Sequence, residues 1–154
     1  MINATARVME FMPTICQEIT DPEGLQNCLA LRQEVFVAEQ SIPLSLEMDG
    51  QDADARHFAL KEGDKVIATC RVRRMGIAAK IERMAVQKNY RRQGIGRELM
   101  KYVLQQLTGP GDIKLLKLSS QADAVPFYEQ LNFKKRGPEY MDAGIPHYDM
   151  TREL

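Results

Sequence analysis

Residues 80–118 constrain the fold more than any other part of the chain. A strand is predicted near 80–87, apolar residues recur at helical spacing from Leu99 to Leu107, and a short apolar strand follows at 113–118. A strand, a helix and a second strand in this order predict a right-handed crossover between parallel strands. Because 113–118 is apolar on both faces, we expect it in the interior of the sheet.

The rest of the chain completes a mixed α/β sheet. A helix is predicted at 123–131. Pro126 fits this helix only in its first turn, where the missing N–H of proline has no helical partner, and Asn132 is placed to end the helix in the left-handed conformation. The order is a helix, a β meander, a β-α-β-α unit and further strands. The predicted elements are a helix at 23–38, strands on both sides of turns at 62–64 and 142–144, and a helix at 123–131.

Length and composition favour a single domain over residues 1–154, without repeats or a linker. The 21 basic and 21 acidic residues cancel, so net charge gives no reason to expect nucleic acid or a membrane as partner. Residues 1–10 lack the apolar run of a signal peptide, and no stretch has the length of a membrane span. A soluble, cytoplasmic protein is expected.

Cysteine and histidine are sparse and scattered. Cys16, Cys28 and Cys70 lie far apart in apolar runs, so they are interpreted as small buried side chains in a reducing compartment. The two histidines, His57 and His147, are also distant from each other. No metal site is expected, because no cluster has metal-ligand spacing.

The loop before the second predicted helix carries the strongest chemical signal. Residues 91–97, with the sequence RRQGIGR, join a strand to a helix. A helix N-terminus offers unpaired N–H groups and the positive end of the dipole, and Gly94 and Gly96 let a phosphate approach the backbone. A turn with solvated arginines is the alternative. The pattern is neither a Walker loop nor a Rossmann fingerprint, since the residues that define them are absent.

Two motifs together resemble one family. Residues 86–96, VQKNYRRQGIG, resemble motif A of the GNAT superfamily of acetyltransferases, and residues 124–133, AVPFYEQLNF, resemble its motif B. Segments 31–40, 81–86 and 144–150 are similar to the small bacterial ElaA/YjcF-like branch. The resemblance implies the GNAT acyl-CoA N-acyltransferase fold, an α/β fold whose mixed sheet is splayed between the two parallel strands that flank the motif A helix.

The resemblance also implies acetyl-CoA as co-substrate and no metal. Tyr128 matches the tyrosine that protonates the departing CoA thiolate in many members, and Gln121 stands where many have Asn at a cofactor contact. Backbone groups of Met84, Ala85 and Val86 would pair with the pantetheine amides. The pyrophosphate would be held by residues of the glycine loop, namely Arg91, Arg92, Gln93, Gly94, Ile95, Gly96 and Arg97.

Attack by an amine requires a base, because an alkylammonium has a pKa near 10.4. Glu82 is the leading candidate, since it lies two residues before the cofactor-pairing segment on the same strand. A salt bridge with Arg71, Arg73 or Arg83 is the competing explanation for Glu82. The remaining candidates for the base are His57, His147, Glu34, Glu39 and Glu47.

Charge is distributed unevenly along the chain. Residues 33–55 hold six acids and no Lys or Arg, whereas 65–101 hold eleven basic residues and only two acids. The basic part suits a phosphate-rich cofactor, and the acidic part predicts a small cationic amine or a lysine as acceptor. A solvated acidic loop is the alternative.

Two other functions compete with an acetyltransferase. One is a non-catalytic acyl-CoA-binding module or sensor on the same fold. The other is nucleic-acid binding, which is not expected because aromatic residues, on which bases stack, make up only 6% of the chain. Dimers are common in the superfamily, so a homodimer is left open, although no segment identifies an interface.

Overall fold

A computed structural model describes residues 12–154, in which seven strands form one sheet. The strands are β1 (Thr14–Ile19), β2 (Arg56–Glu62), β3 (Lys65–Met75), β4 (Ala78–Val86), β5 (Leu115–Gln121), β6 (Lys134–Asp142) and β7 (Ile145–Glu153). Their order is β1-β2-β3-β4-β5-β7-β6, and β4 and β5 form its parallel pair. The predicted mixed α/β sheet is confirmed. The prediction about residues 1–10 lies outside the described range.

The helices flank this sheet. They are α1 (Pro22–Arg32), α2 (Leu44–Glu47), α3 (Ile95–Thr108) and α4 (Val125–Glu129), with a π-helix at Gln33–Glu39 and 3-10 turns at Lys88–Tyr90 and Ala122–Ala124. The Asp21 side chain caps α1 by accepting a hydrogen bond from the Gly24 N–H. None of the helices in residues 12–154 has the length and apolar character of a membrane span.

Most of the predicted elements are confirmed. The helix predicted at 23–38 corresponds to α1 and the π-helix that continues it, and Pro126 lies in the first turn of α4. Asn132 has a φ of 69°, as expected for a left-handed helix end. Strand β1 was not predicted, because only its last residue, Ile19, is buried and an edge strand of this kind leaves little hydrophobic pattern.

The sheet is buried on both faces by helices. On one face, α3 inserts its apolar side chains against β2, β3 and β4, and on the other face α1 packs against β2 and β3. The predicted apolar face of α3 is confirmed, since its members are buried: Leu99, Met100, Val103, Leu104 and Leu107. Cys28 and Cys70 are buried as predicted, whereas Cys16 on β1 is only half-buried.

The parallel strands separate halfway along their length. Pairing between β4 and β5 runs from Ala78–Leu115 to Ile81–Leu118 and then stops, although both strands continue. The predicted splay of the sheet is therefore present. It opens a V-shaped gap with β4 on one side and β5 on the other.

A β-bulge lies at the start of the gap. Between the pairs Arg71–Glu82 and Thr69–Ala85, β3 contributes one residue and β4 contributes two. Arg83, one of the two, has a φ of 55°, in the left-handed region that L-residues rarely adopt. The extra residue bends β4 where it leaves β5.

A buried ion-pair network joins this part of the sheet to the segment after α2. Its cations are Arg32, Arg71, Arg73 and Arg83, and its anions are Glu47, Asp49, Asp52 and Glu82. The side chain of Arg71 is 0% exposed and lies 2.6 Å from Glu82 and 2.8 Å from Asp49. A buried guanidinium is stable only with such partners, so the network fixes the segment against the sheet.

Arg71→Met should destabilise the protein by about 3–5 kcal/mol, because it leaves buried carboxylates without their cation. Urea denaturation at neutral pH measures this change. Arg56→Met is the matched control, since Arg56 pairs with Glu18 at the surface, where an ion pair contributes about 0–1 kcal/mol. Equal stability of the two variants would show that the network does not hold the fold.

Candidate active site

Two openings meet in the gap between β4 and β5. The central cavity, of about 280 Å³, is bounded by residues 36–47, β4, β5 and the β6–β7 turn. The helix groove, of about 370 Å³, is bounded by β4, the loop at 90–97 and α4. Both are lined by Met84, Ala124 and Tyr128. The two openings are thus adjacent, and these three residues lie between them.

The helix groove ends at the N-terminus of α3. Gly94 is the N-cap residue, with a φ of 78° that a glycine adopts without strain, and its carbonyl accepts the first helical bond from Glu98. Gly94 provides no side-chain cap, and the first N–H groups of α3, at residues 95–97, have no partner within the helix. These donors and the helix dipole suit an anion such as a phosphate.

Gly96 keeps the groove open. A Cβ on this residue would lie 3.4 Å from the Met84 and Val86 side chains and 3.8 Å from Phe127. A larger side chain would therefore occupy the space between α3, β4 and α4. The groove has room for little more than a methyl group at this position.

The arginines of the loop are used unequally. Arg91 donates from Nε to the Val86 carbonyl at 2.9 Å and pairs with Glu39 at 2.8 Å. Arg92 and Arg97 have exposed side chains on the groove. The charges available to an anion in this structure are those of Arg92 and Arg97, while Arg91 ties the loop to β4.

Two predicted cofactor residues do not present their side chains to either opening. Ala85 is buried in the core on the α1 side of the sheet, so only its backbone could meet a ligand. The side chain of Gln93 donates to the Asn89 carbonyl at 3.2 Å and lies outside the residues that line the groove. Met84, Val86, Gly94, Ile95 and Gly96 all line the groove.

Tyr128 stands where the cavity and the groove meet. Its ring is only 8% exposed and packs edge-on against Phe127 and Phe133, with centroids 5.0 and 6.1 Å away. Burial raises the pKa of its hydroxyl well above the ordinary value of 10.0. The group therefore stays protonated and can donate a hydrogen bond into the junction.

Gln121 closes one end of the central cavity. It donates from Nε2 to Oε1 of Gln40 at 2.8 Å, linking the end of β5 to the segment after the π-helix. Phe36, from the π-helix, also lines the cavity. Sequence reasoning did not identify Gln40, because nothing in the local pattern indicates a contact with a residue 81 positions away.

Glu82 lines the cavity but is heavily engaged. Burial opposes its ionisation, but hydrogen bonds from Arg73 and Arg71 outweigh that effect and lower its pKa from 4.5 to about 2. Lys80 also lies 3.4 Å away. A carboxylate with so low a pKa is a poor proton acceptor, and the geometry favours the salt-bridge explanation for this residue.

The other carboxylates considered as bases are also constrained or remote. Glu47 is 1% exposed and its Oε1 lies 2.7 Å from Arg32, while its Oε2 has no hydrogen-bond partner within residues 12–154. Glu39 is paired with Arg91, and Glu34 is exposed and lines neither opening. Of these three, only Glu47 lines the central cavity.

The two histidines have different surroundings. His57 is 5% exposed, its Nε2 contacts the Asp52 carbonyl at 2.8 Å, and it lines neither opening. His147 lines the central cavity, and its Nδ1 lies 2.7 Å from the Ile145 carbonyl. The structure thus brings only the second histidine together with Tyr128.

The acidic segment does not present an unpaired negative surface. Four of its six acids form ion pairs with arginines: Glu39, Glu47, Asp49 and Asp52. Their charge is offset by cations from other parts of the chain, which the local sequence does not reveal. This weakens the argument for a cationic acceptor, which stays a prediction. Among residues 12–154, no three His, Cys, Asp or Glu side chains come close enough to bind a metal.

Comparisons with known proteins agree on one family. The model of the acetyltransferase (GNAT) domain matches residues 17–154. The N-acetyltransferase YjcF of Bacillus subtilis is 33% identical over 132 residues, which cover 85% of this chain and 94% of YjcF.

Two solved structures are similar as well. The crystal structure of Escherichia coli ElaA is 29% identical, with a TM-score of 0.84 over 92% of this chain and 100% of ElaA. An acyl-CoA N-acyltransferase from Pseudomonas aeruginosa is 28% identical, with a TM-score of 0.80 over 91% of this chain and 98% of its own.

The stability of the protein should fall in acid as Glu82 is protonated. A carboxylate whose pKa is depressed on folding stabilises the native state above its unfolded pKa, and this contribution is lost between pH 4.5 and about 2. Urea denaturation across that range measures the loss. In Glu82→Gln the dependence should be shallower, and an unchanged slope would contradict the assignment.

Proposed function

The chain belongs to the GNAT acetyltransferase family, and from that membership we propose that it transfers an acetyl group from acetyl-CoA to a primary amine. The acceptor is a small molecule or a lysine side chain, and transfer is direct, with both substrates bound together. The observation that carries this proposal is the meeting of the helix groove and the central cavity at Tyr128.

The helix groove has the features that a CoA molecule requires. Its closed end offers the first N–H groups of α3 and the side chains of Arg92 and Arg97 for the pyrophosphate. The unpaired side of β4 beyond Ile81 supports an extended chain that bears amides, as pantetheine does. The space at Gly96, which a side chain would fill, is consistent with such a ligand. When bound, acetyl-CoA supplies the acetyl group as a reactive thioester.

Tyr128 acts on the leaving group in this proposal. Tyr128 lines both openings and its hydroxyl stays protonated, so in this proposal it donates a hydrogen bond to the negative charge that develops on the thioester sulfur. Its ring is held by two aromatic neighbours, which fixes the direction of the donor. The proposed role of Tyr128 is thus to protonate the thiolate and to take back a proton from the nitrogen of the tetrahedral adduct, which must lose one as the amide forms.

The central cavity receives the amine. It lies on the opposite side of the junction from the groove and is lined by apolar residues, such as Phe36 and Ile42, together with charged ones. Its acidic side chains are Glu47, Glu82 and Asp142, and its basic ones are Lys80 and Arg83. This near balance of charge leaves the acceptor's own charge open.

Calorimetric titration with acetyl-CoA and with CoA tests the first half of the proposal, and thiol release over cationic, neutral and acidic primary amines tests the second. Binding together with turnover on an amine supports the proposal. Binding without turnover on any amine would favour a non-catalytic acyl-CoA-binding module. Absence of binding would overturn the assignment of the groove.

Gly96→Leu should weaken acetyl-CoA binding at least tenfold, because the new side chain fills the helix groove. Leucine is a better helix former than glycine, by up to about 1 kcal/mol, so loss of helix stability is not expected. Calorimetry measures the affinity and thermal unfolding checks the fold. Normal affinity in a folded variant would place the ligand elsewhere.

Tyr128→Phe should bind acetyl-CoA normally and lose roughly 10²-fold or more in kcat, since the ring and its packing stay while the donor is removed. The matched control is Tyr102→Phe, at a tyrosine of α3 that packs on Phe58 and lines neither opening. If kcat falls equally in both variants, Tyr128 has no specific role in the reaction.

A further inference from the structure

We propose that His147 is the catalytic base, which takes the proton from the acceptor's ammonium group at its Nε2 atom. This inference rests on the proposed function, because it assigns a role within the same reaction. Four features support it: the tautomer of the His147 ring, the contact of the ring with β6, its position in the cavity, and the ion pairs that the competing carboxylates form with arginines.

The tautomer follows from one hydrogen bond. Nδ1 of His147 lies 2.7 Å from the carbonyl oxygen of Ile145, two residues earlier in the chain. A carbonyl oxygen can only accept, so Nδ1 carries the hydrogen and the lone pair of the neutral ring is on Nε2. Within residues 12–154, Nε2 has no hydrogen-bond partner. The ring therefore presents an unused proton acceptor.

The ring is held in place by β6. It stacks on Tyr140, with centroids 6.0 Å apart and planes inclined by 26°, and the two residues are paired across β6 and β7. The Tyr140 hydroxyl is anchored by Asp149, at 2.7 Å, and by Ser119. Ser119 and His147 both line the central cavity. The imidazole thus sits on a supported surface rather than on a mobile loop.

The position of His147 in the sheet brings it to the same cavity as Tyr128. His147 is opposite Gln121 in the pairing of β5 with β7, at the end of β5 that lies beyond the point where β4 separates. The same cavity contains Tyr128 and Met84. The cavity that would hold the amine is thus lined both by Tyr128, whose hydroxyl can donate, and by His147, whose Nε2 can accept.

The other ionisable groups facing the cavity are less suited to accept the proton. Glu82 is paired with Arg71 and Arg73, and Glu47 is paired with Arg32. Asp142 is exposed at the turn between β6 and β7 and is tested below as the alternative. The charged and titratable groups that face His147 from the elements around the cavity are Glu47, Lys80, Glu82, Arg83, Tyr128, Tyr140 and Asp142.

The transfer of the proton from the ammonium group to His147 needs no other reagent. The N–H bond of the ammonium breaks, its electron pair stays on nitrogen as the lone pair that attacks, and the proton forms a new bond to Nε2. His147 becomes an imidazolium with hydrogen on both ring nitrogens. Because the residue is partly exposed, the imidazolium returns this proton to solvent after the product leaves.

The first test does not depend on activity. The chain has two histidines, so the ring-nitrogen NMR spectrum of protein labelled with 15N-histidine contains two sets of signals, and His147→Gln identifies those of residue 147. The neutral ring should be the tautomer with hydrogen on Nδ1. Hydrogen on Nε2 of the neutral ring would overturn the proposal, because that atom could not then accept the proton.

The second test compares two nucleophiles in thiol release at neutral pH, with the uncatalysed rate subtracted. An alkylamine from the panel is protonated at this pH, whereas methoxyamine is not and needs no base before attack. His147→Gln should lose about 10²-fold with the alkylamine and only a few-fold with methoxyamine. His57→Gln, at the histidine outside the cavity, should retain the wild-type rate with both.

The remaining outcomes separate this inference from the proposed function. Equal losses with both nucleophiles, no loss in His147→Gln, or a loss confined to Asp142→Asn would overturn the base assignment alone. Failure of the wild-type protein to acetylate any nucleophile, although it binds acetyl-CoA, would overturn the proposed function and the base assignment with it. Calorimetry with acetyl-CoA confirms that each variant is folded and binds the co-substrate.

Discussion

The burial of Arg71 within the sheet is the interaction on which the rest of the structure depends. A guanidinium that is 0% exposed must be surrounded by carboxylates, and here they come from β4 and from the segment after α2. Arg32 of α1 is also buried and also needs carboxylate partners, and it shares Asp52 with Arg71. The large apolar side chains of the segment at 44–54, Leu44, Leu46 and Met48, are exposed and not packed in the core, so the ion pairs hold this segment over the sheet as one wall of the central cavity.

The same network determines the chemistry of the cavity. It holds Glu82 ionised and surrounded by cations, which leaves a carboxylate on the cofactor strand that stabilises structure more readily than it accepts protons. It also offsets the charge of three of the six acids in the acidic segment, Glu47, Asp49 and Asp52. An acid that looks catalytic by its place in the sequence can thus be a structural counterion, and only its partners reveal which it is.

The local sequence pattern predicted most of the helices and strands, but it did not predict the contacts between residues far apart in the chain. The apolar face of α3, the hairpins and the glycine loop could be predicted because periodicity, turn residues and helix-end chemistry act within a few residues. Strand β1 was not predicted, because it lies at an edge of the sheet and only its Ile19 is buried. The Gln40–Gln121 contact and the pairing of Arg71 with Asp49 join residues far apart in sequence, so no local signal announces them. The sequence left several candidates for the base, and the structure distinguishes the two histidines because His147 lines the central cavity and His57 does not.

The bulge in β4 has a consequence for how this site can change over evolutionary time. Residues before and after Arg83 pair with β3 in registers that differ by one position. Glu82 and Ala85 are three positions apart yet pair with Arg71 and Thr69 on one face of β3, so deleting a single codon between them would remove the extra residue, restore the regular two-residue repeat and straighten β4. Amino-acid replacements can adjust specificity one contact at a time, whereas a deletion at this point would remove in one step the bend by which β4 leaves β5.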